Sequence, residues 1–258
     1  MRTTVIFNCK GGVGKTITTI QLAAELAARD KRIVCVDADP QQNLTGFYLP
    51  GKAVDPYNLY DILSGVLDVQ GYAYLLDVTD RIRLVPGSMD LILADLHALQ
   101  GKEIKLTAIR ELALALAEDD VADHMLIDCP PSFTAATTAA LAAADDVIIP
   151  IRLDAFSLAG ISELLRQISG IRDVNPTIRV AGALITQYDG TTVAMETESA
   201  LRESAVPVFE TVIHRTTAVD RSTYEHRPVR ELPGSYAKRC AEEYATLVNE
   251  WLGGAENV

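Results

Sequence analysis

The feature that most constrains this 258-residue chain lies near its start, where a glycine-rich loop joins an apolar strand to a helix. The predicted strand covers Thr3–Asn8, the loop reads KGGVGKT from 10 to 16, and the helix extends from about Lys15 to Arg29. Glycines allow several backbone N–H groups to converge on one anion, and the N-terminus of the following helix favours negative charge. The order strand, loop, helix therefore predicts a phosphate-binding loop in an α/β fold.

Within this loop, two side chains have distinct predicted roles. Lys15 is expected to reach the β- and γ-phosphates of a nucleotide, and the Thr16 hydroxyl is expected to ligate Mg²⁺. The general pattern G-x-x-x-x-G-K-[ST] is met only in its second half, because Cys9 occupies the position of the first glycine. The predicted nucleotide-binding residues of the loop are Lys10, Gly11, Gly12, Val13, Gly14, Lys15, Thr16 and Ile17.

The rest of the chain alternates apolar, β-branched runs with segments of helical periodicity. The further predicted strands are Arg32–Asp37, Arg81–Pro86, Met125–Cys129, Asp146–Ile151, Thr177–Thr186 and Val208–Ile213. The further predicted helices are Leu91–Ala98, Lys102–Glu118, Thr134–Ala144, Leu158–Arg172, Val193–Ser204 and Ser235–Leu252. Such a pattern is typical of a doubly wound, mostly parallel α/β sheet with helices on both faces. We expect a single domain over residues 1–258, with short helices and loops outside the sheet between Thr45 and Asp80.

Acidic residues stand at the carboxyl ends of two of the predicted strands. Asp37 and Asp39 belong to VDADP at 36–40, and Asp128 ends the apolar run MLID at 125–128. Open α/β sheets bind ligands at the carboxyl ends of their strands, so these acids are expected beside the phosphate loop. A lone aspartate at a strand end is otherwise a turn residue or a helix cap. Next to a phosphate loop, Asp128 is predicted to hold Mg²⁺ through water, as a Walker B residue does.

The charge of the chain is unevenly distributed. Its formal net charge is −12, which argues against attraction of the whole molecule to DNA or to anionic lipid. Residues 211–240 are the exception, because this segment contains six basic and three acidic residues. The basic residues are Arg215, Arg221, Arg227, Arg230, Lys238 and Arg239. They form either a binding face for DNA or a surface neutralised by salt bridges.

Neither a membrane span nor a metal cluster is indicated. No apolar run is long enough for a secretory signal or for a bilayer crossing, so a cytoplasmic location is expected. The cysteines are Cys9, Cys35, Cys129 and Cys240. None forms a C-x-x-C pair and three sit in or just after apolar runs, which favours buried free thiols over metal ligands.

Taken together, these motifs resemble the ParA/MinD group of deviant Walker ATPases, and within it the ParA (Soj-like) partition proteins. The most specific matches are KGGVGKT at 10–16, VDADPQQNLT at 36–45 and LIDCPPS at 126–132. Weaker matches at 84–95, 147–165 and 185–192 extend the resemblance along nearly the whole chain.

The resemblance implies an ATPase with ATP and Mg²⁺ as its ligands that forms a homodimer when ATP binds. Lys10 would cross the dimer interface and contact phosphate bound in the partner subunit, much as an arginine finger does. Asp39 would orient the attacking water, so the implied catalytic residues are Lys10, Lys15 and Asp39. Asp37 and Asp128 would support Mg²⁺ through its waters. Adenine would sit among Thr186, Gln187, His214, Arg215 and Thr216.

The resemblance also implies a function in partition. A ParB-like, centromere-binding adaptor would stimulate hydrolysis, and the ATP-bound dimer would bind non-specific DNA and associate with the nucleoid. The candidate DNA contacts are Arg215, Arg221, Arg227 and Arg230. The chain departs from the family pattern at Ile17, which replaces a threonine or serine that contacts the α-phosphate. Thr191 and Ala218 also stand where DNA-binding members carry basic residues.

Two other functions within the group stay open. A ParA-like ATPase can position a protein cargo instead of DNA, and the sequence does not separate these alternatives. A MinD-type membrane-surface ATPase needs a basic amphipathic C-terminal helix. Here the last predicted helix carries Glu242, Glu243 and Glu250 beside its apolar stripe, and anionic lipid repels them, so no membrane partner is expected.

Overall fold

The computed structural model describes residues 1–51, 57–69, 72, 74–154 and 157–253. Within these ranges, eight strands belong to one sheet. The strands are β1 (Arg2–Ile6), β2 (Ile33–Asp37), β3 (Leu76–Asp77), β4 (Ile82–Val85), β5 (His124–Asp128), β6 (Asp146–Arg152), β7 (Arg179–Tyr188) and β8 (Val208–His214). The helices are α1 (Lys15–Ala27), α2 (Asn43–Tyr48), α3 (Leu59–Leu63), α4 (Leu91–Leu99), α5 (Ala108–Glu118), α6 (Ala135–Ala143), α7 (Ser157–Ile171), α8 (Thr192–Arg202), α9 (Thr217–Glu225) and α10 (Ser235–Gly253).

The strand order is β3-β4-β2-β5-β1-β6-β7-β8, and every pair except β3–β4 is parallel. Successive residues of β1 enter different cores, because strand side chains alternate between the two faces of a sheet. Val5 packs in the cluster with Val36 and Ile127, whereas Ile6 packs in the cluster with Cys35 and Leu126. The sheet is thus covered on both faces, and the predicted doubly wound α/β fold is confirmed.

Three features of the fold differ from the sequence prediction. The short strand β3 pairs with β4 and so joins the sheet, although its region was expected to lie outside it. Helix α5 begins at Ala108 rather than 102, because Gly101 adopts a φ of 70° and the Lys105 N–H is bound by the Leu63 carbonyl. Helix α9 was not predicted, because its sequence is mostly polar and only Ala218 and Ser222 of it are buried.

Three of the four cysteines are buried and Cys9 is exposed, and all four are free thiols. This agrees with the expectation from the apolar runs.

The C-terminal helix α10 buries its apolar stripe against the domain. The stripe consists of Cys240, Tyr244, Leu247, Val248 and Trp251, all of them buried. The carboxylate of Glu250 accepts hydrogen bonds from the backbone N–H groups of Glu210 (2.6 Å) and Thr211 (3.0 Å) in the edge strand β8. Glu243 accepts one from the His214 N–H at 3.0 Å. These glutamates therefore occupy N–H groups of the edge strand β8.

No helix in the described part of the chain is long and apolar enough to span a membrane.

A buried carboxylate ties α10 to the amino-terminal edge of the sheet. Asp146, at the start of β6, is 1% exposed. It accepts hydrogen bonds from Arg2 Nε (2.6 Å), Arg179 Nε (2.8 Å) and Trp251 Nε1 (2.8 Å). Two guanidinium groups and an indole N–H thus compensate one buried negative charge, as a buried ion requires.

Replacing Asp146 with alanine should strongly destabilise the protein, because it leaves two part-buried cations and an indole N–H without their acceptor. We expect the free energy of unfolding to fall by about 3–5 kcal/mol, measured by urea denaturation. Asp77→Ala is the matched control, since it removes an exposed ion pair with Arg83 and should cost less than about 1 kcal/mol. Equal losses in the two variants would contradict a stabilising role for the buried carboxylate.

Candidate nucleotide-binding site

The phosphate loop connects β1 to α1 at the carboxyl end of the sheet. Gly12 and Gly14 adopt φ angles of 71° and 87°, which favour glycine over any residue with a Cβ atom. A Cβ added at Gly12 or Gly14 would meet no atom within 4 Å, so conformation rather than crowding requires glycine at these two positions. Gly14 also precedes the first turn of α1 without a side-chain cap, so the N–H groups of that turn are available to an anion.

Lys15 lies inside the loop. Its side chain is largely buried, and its Nζ donates a hydrogen bond to the Lys10 carbonyl at 3.2 Å. Burial lowers the pKa of the ammonium, while the nearby carboxylates of Asp128 and Asp39 raise it. The Lys15 ammonium thus lies at the centre of the loop, close to the carboxylates of Asp39 and Asp128.

Thr16 and Asp128 form the arrangement that a Mg²⁺ ion needs. The Thr16 hydroxyl donates to Asp128 Oδ2 at 2.6 Å, whereas the buried Oδ1 of Asp128 has no hydrogen-bond partner among the described residues. Burial raises the pKa of Asp128 well above its usual range, and the neighbouring Asp37 raises it further. An unpartnered carboxylate oxygen beside a hydroxyl fits Mg²⁺, which typically takes few protein ligands and keeps several waters. No group of three or more His, Cys, Asp or Glu side chains within the described ranges would bind a metal by itself.

Asp37 and Asp39 have different surroundings although they are two residues apart. Asp37 is paired in register with Asp128 across β2 and β5. Its carboxylate accepts hydrogen bonds from the Thr45 N–H (2.8 Å), the Thr45 hydroxyl (2.6 Å) and the Asp39 N–H (3.2 Å). Burial raises the pKa of Asp37 to about 6. Of the two carboxylates predicted to support Mg²⁺, Asp128 is therefore the one with an oxygen to spare.

The second lysine of the loop points elsewhere. Lys10 lies at the rim with 38% of its side chain exposed, and its ammonium pairs with the carboxylate of Asp154, just after β6. Its backbone N–H is held by Asn8 Oδ1 at 3.0 Å. The two lysines of KGGVGKT are thus separated in space, with Lys15 buried near Asp128 and Asp39 and Lys10 at the surface.

A cavity of about 490 Å³ adjoins the phosphate loop, a size typical of small-molecule sites. It is lined by Gly12, Gly14, Ile17, Thr186, Gln187, Ile213, His214, Arg215, Thr216, Thr217, Val219, Asp220 and Tyr244. The structure thus brings all five predicted adenine-side residues next to the loop. The lining from Val219 and Tyr244 was not predicted, because it depends on how α9 and α10 pack.

Two of these residues also hold the loop itself. Thr186 Oγ1 donates to the Val13 carbonyl at 2.8 Å, and Gln187 Nε2 donates to the Gly12 carbonyl at 2.6 Å. Gln187 does this from a positive φ of 52°, which is uncommon outside glycine. The end of β7 therefore fixes the shape of the phosphate loop as well as one wall of the cavity.

The predicted basic face is largely paired with acids. Arg221 lies 2.5 Å from Glu225, and Arg227 contacts both Glu225 and Glu231. Arg230 contacts the buried Glu25 at 3.4 Å and donates to the Ala24 carbonyl. Arg215 is exposed at the rim of the cavity, and no ion pair joins it to a described residue. Of the four candidate DNA contacts, Arg215 thus has the most accessible charge.

Known proteins that resemble this chain include ATPases, which is consistent with a nucleotide-binding site. A family profile described as AAA domain matches residues 1–180, which include the phosphate loop, Asp39 and Asp128. The chain is 36% identical to the chromosome-partitioning ATPase Soj of Thermus thermophilus, over 97% of this chain and 98% of that protein. It is 34% identical to the chromosome partitioning protein ParA of Caulobacter vibrioides, over 96% of this chain and 91% of that protein.

A solved structure gives the same fold. Cobyrinic acid a,c-diamide synthase from Mycobacterium smegmatis, with bound ATP analogue and magnesium, matches with a TM-score of 0.79 and 30% sequence identity. The match covers 98% of this chain and 97% of that chain. The two partition proteins are more similar in sequence over nearly their full length. The chain therefore belongs to the ParA/Soj family of deviant Walker partition ATPases.

Proposed function

We propose that this protein, acting as a single ATPase domain over residues 1–258, hydrolyses ATP with Mg²⁺ as an ATP-dependent homodimer and segregates plasmid or chromosomal DNA. The observation that carries the proposal is the separation of the two lysines in one loop. Lys15 is buried beside Asp39 and Asp128, whereas Lys10 reaches the surface at Asp154. One subunit therefore offers a complete phosphate site and, in addition, a cation that is directed away from it.

Hydrolysis in this proposal relies on side chains with separate tasks. The loop N–H groups and the Lys15 ammonium neutralise the phosphates of ATP, and Thr16 and Asp128 hold Mg²⁺. The bound ion supplies further neutralisation of the charge on the phosphate oxygens. Asp39 is largely buried and accepts a hydrogen bond from the Gln41 N–H at 2.9 Å. This contact leaves its second oxygen to orient the attacking water.

The position of Lys10 supports the proposed dimerisation. Its ion pair with Asp154 is half exposed, and such pairs contribute little to stability. Phosphate bound in a second copy offers the Lys10 ammonium a more highly charged partner in a drier setting. We propose that Lys10 exchanges Asp154 for this phosphate when two nucleotide-loaded subunits meet, which makes hydrolysis depend on the dimer.

The cargo of the dimer is proposed from the relatives and from Arg215. Both relatives are partitioning proteins by name, which supports non-specific DNA and a ParB-like adaptor as partners, with a cytoplasmic, nucleoid-associated location. Arg215 lies at the rim of the nucleotide cavity, so bound ATP would lie close to its side chain.

A protein cargo is the second candidate. Its support is the pairing of Arg221, Arg227 and Arg230 with acids, together with a net charge of −12. A MinD-type membrane function has less support, because the apolar stripe of α10 is buried.

Lys15→Ala should weaken ATP binding by about 100-fold or more, because it removes a charge-assisted contact to phosphate. Isothermal titration calorimetry with ATP and Mg²⁺ measures the dissociation constant. Lys31→Ala, which removes an exposed lysine just after α1, is the matched control and should bind like the parent protein. Binding of the Lys15→Ala protein within about threefold of the parent would contradict the proposed phosphate contact.

Lys10→Ala and Asp39→Ala should separate dimerisation from chemistry. Both variants should still bind ATP. Lys10→Ala should stay monomeric, whereas Asp39→Ala should form a stable dimer whose turnover is reduced by about 10²-fold or more. Light scattering after size exclusion and phosphate-release assays measure the two properties. Normal ATP-dependent dimerisation of Lys10→Ala would refute the contact between subunits.

The DNA hypothesis predicts ATP-dependent, sequence-independent binding that weakens steeply with salt. Mobility-shift titrations of one DNA fragment at several salt concentrations give the slope of log K against log salt. Arg215→Ala should reduce this slope by about 1. Arg110→Ala should not, because Arg110 lies on α5 beside Met1 and Thr3, at the amino-terminal end of the central strands. ATP affinity of Arg215→Ala is measured in parallel, since the residue also lines the cavity. Failure of the parent protein to bind DNA at low salt would favour the protein cargo.

A further inference from the structure

The segment from Asp39 to Thr45 is held at both ends by one carboxylate. Asp37 accepts the N–H of Asp39 at the beginning of this segment, at 3.2 Å. It accepts both the N–H and the hydroxyl of Thr45 at its end, at 2.8 and 2.6 Å. Asp37 and Thr45 are 0% and 3% exposed, so water does not compete for these hydrogen bonds. The Asp37 carboxylate is thus the buried anchor that holds both ends of the segment that carries Asp39.

The Thr45 hydroxyl also links this anchor to another part of the sheet. Besides donating to Asp37, Thr45 Oγ1 accepts a hydrogen bond from the Gly87 N–H at 2.9 Å. Gly87 follows β4, the strand that pairs with β2 on the side away from β5. Both functions of the hydroxyl are thus used, one to hold the carboxylate and one to hold the segment after β4.

Gly87 restricts the anchor from the other side. A Cβ at this position would lie 2.9 Å from both Asp37 Cγ and the Asp37 carbonyl oxygen, and 3.2 Å from Asp37 Oδ1. Real Cβ atoms do not come this close to a neighbour, so any larger residue at 87 would displace the carboxylate or the chain. Thr45 and Gly87 together therefore leave the Asp37 carboxylate one position.

We propose that Thr45 is a positioning residue for ATP hydrolysis, which acts through Asp37 to fix the loop that carries Asp39. The proposal rests on the proposed role of Asp39 in orienting water. The Asp39 carboxylate accepts a hydrogen bond from the Gln41 N–H, and the Asp39 carbonyl accepts one from the Gln42 N–H. Both partners belong to the same segment, so the location of Asp39 depends on where the ends of that segment are held. Thr45 touches neither the phosphate loop nor the nucleotide cavity through any described contact. Its loss should thus affect the chemical step and leave ATP binding unchanged.

Thr45→Val keeps the shape of the side chain and removes the hydroxyl. We expect kcat to fall about tenfold or more, with the dissociation constant for ATP within about threefold of the parent. Thr45→Ser restores the hydroxyl and should recover most of the turnover. Thr4→Val is the matched control, because Thr4 is equally buried and its hydroxyl has no hydrogen-bond partner among the described residues. It should hydrolyse ATP like the parent.

Asp39→Ala, measured in the same assay, separates failure of this inference from failure of the proposed function. If Asp39→Ala turns over normally, the role of Asp39 is wrong and the positioning role fails with it. If Asp39→Ala is inactive while Thr45→Val stays within twofold of the parent, only the positioning role of Thr45 is overturned. A parallel loss of ATP affinity and turnover in Thr45→Val, or no recovery with serine, would also overturn it. Should Thr45→Val fail to fold by circular dichroism, Gly87→Ala tests the same anchor and should show the same selective loss of kcat.

Discussion

The parallel pairing of β2, β5 and β1 is the constraint on which the site depends. Parallel strands end at one edge of a sheet, so the register that pairs Asp37 with Asp128 and Ile6 with Asp128 sets two carboxylates and the phosphate loop side by side. Burial of these strands on both faces then keeps water away from the charges. A one-residue slip of either pairing would move Asp128 away from Asp37 or from the phosphate loop.

Most of the fold and the centre of the site could be predicted because their signals are local. A glycine loop between strand and helix, or an aspartate after an apolar run, is visible in a short segment of sequence. The anchor formed by Asp37, Thr45 and Gly87 was not predictable, since it joins residues up to 50 positions apart. Helix α9 was missed because its sequence is mostly polar. In the structure the Thr216 hydroxyl accepts a hydrogen bond from the Ala218 N–H at its start, and Ala218 and Ser222 are buried.

The charge of residues 211–240 likewise depends on contacts with residues that are distant in the sequence. The sequence between 211 and 240 is basic when counted by itself. In the folded chain, Arg230 contacts Glu25 of α1, and Arg239 contacts Glu243 of α10. Acidic residues from outside the segment therefore neutralise part of its charge. The net charge counted over residues 211–240 alone overstates the positive charge of the folded surface. Arg215, just after β8, is exposed and forms no ion pair with a described residue, so its charge stays accessible.

The carboxylates of α10 on β8 have a consequence for self-assembly. An edge strand with open N–H groups can pair with the sheet of another molecule and so begin a fibre. Here Glu250 and Glu243 bind the N–H groups of Glu210, Thr211 and His214. At the other edge of the described sheet, β3 is two residues long and offers little to pair with. Both edges of the described sheet thus disfavour extension of the sheet into a polymer, which favours helical or loop surfaces for any higher-order assembly.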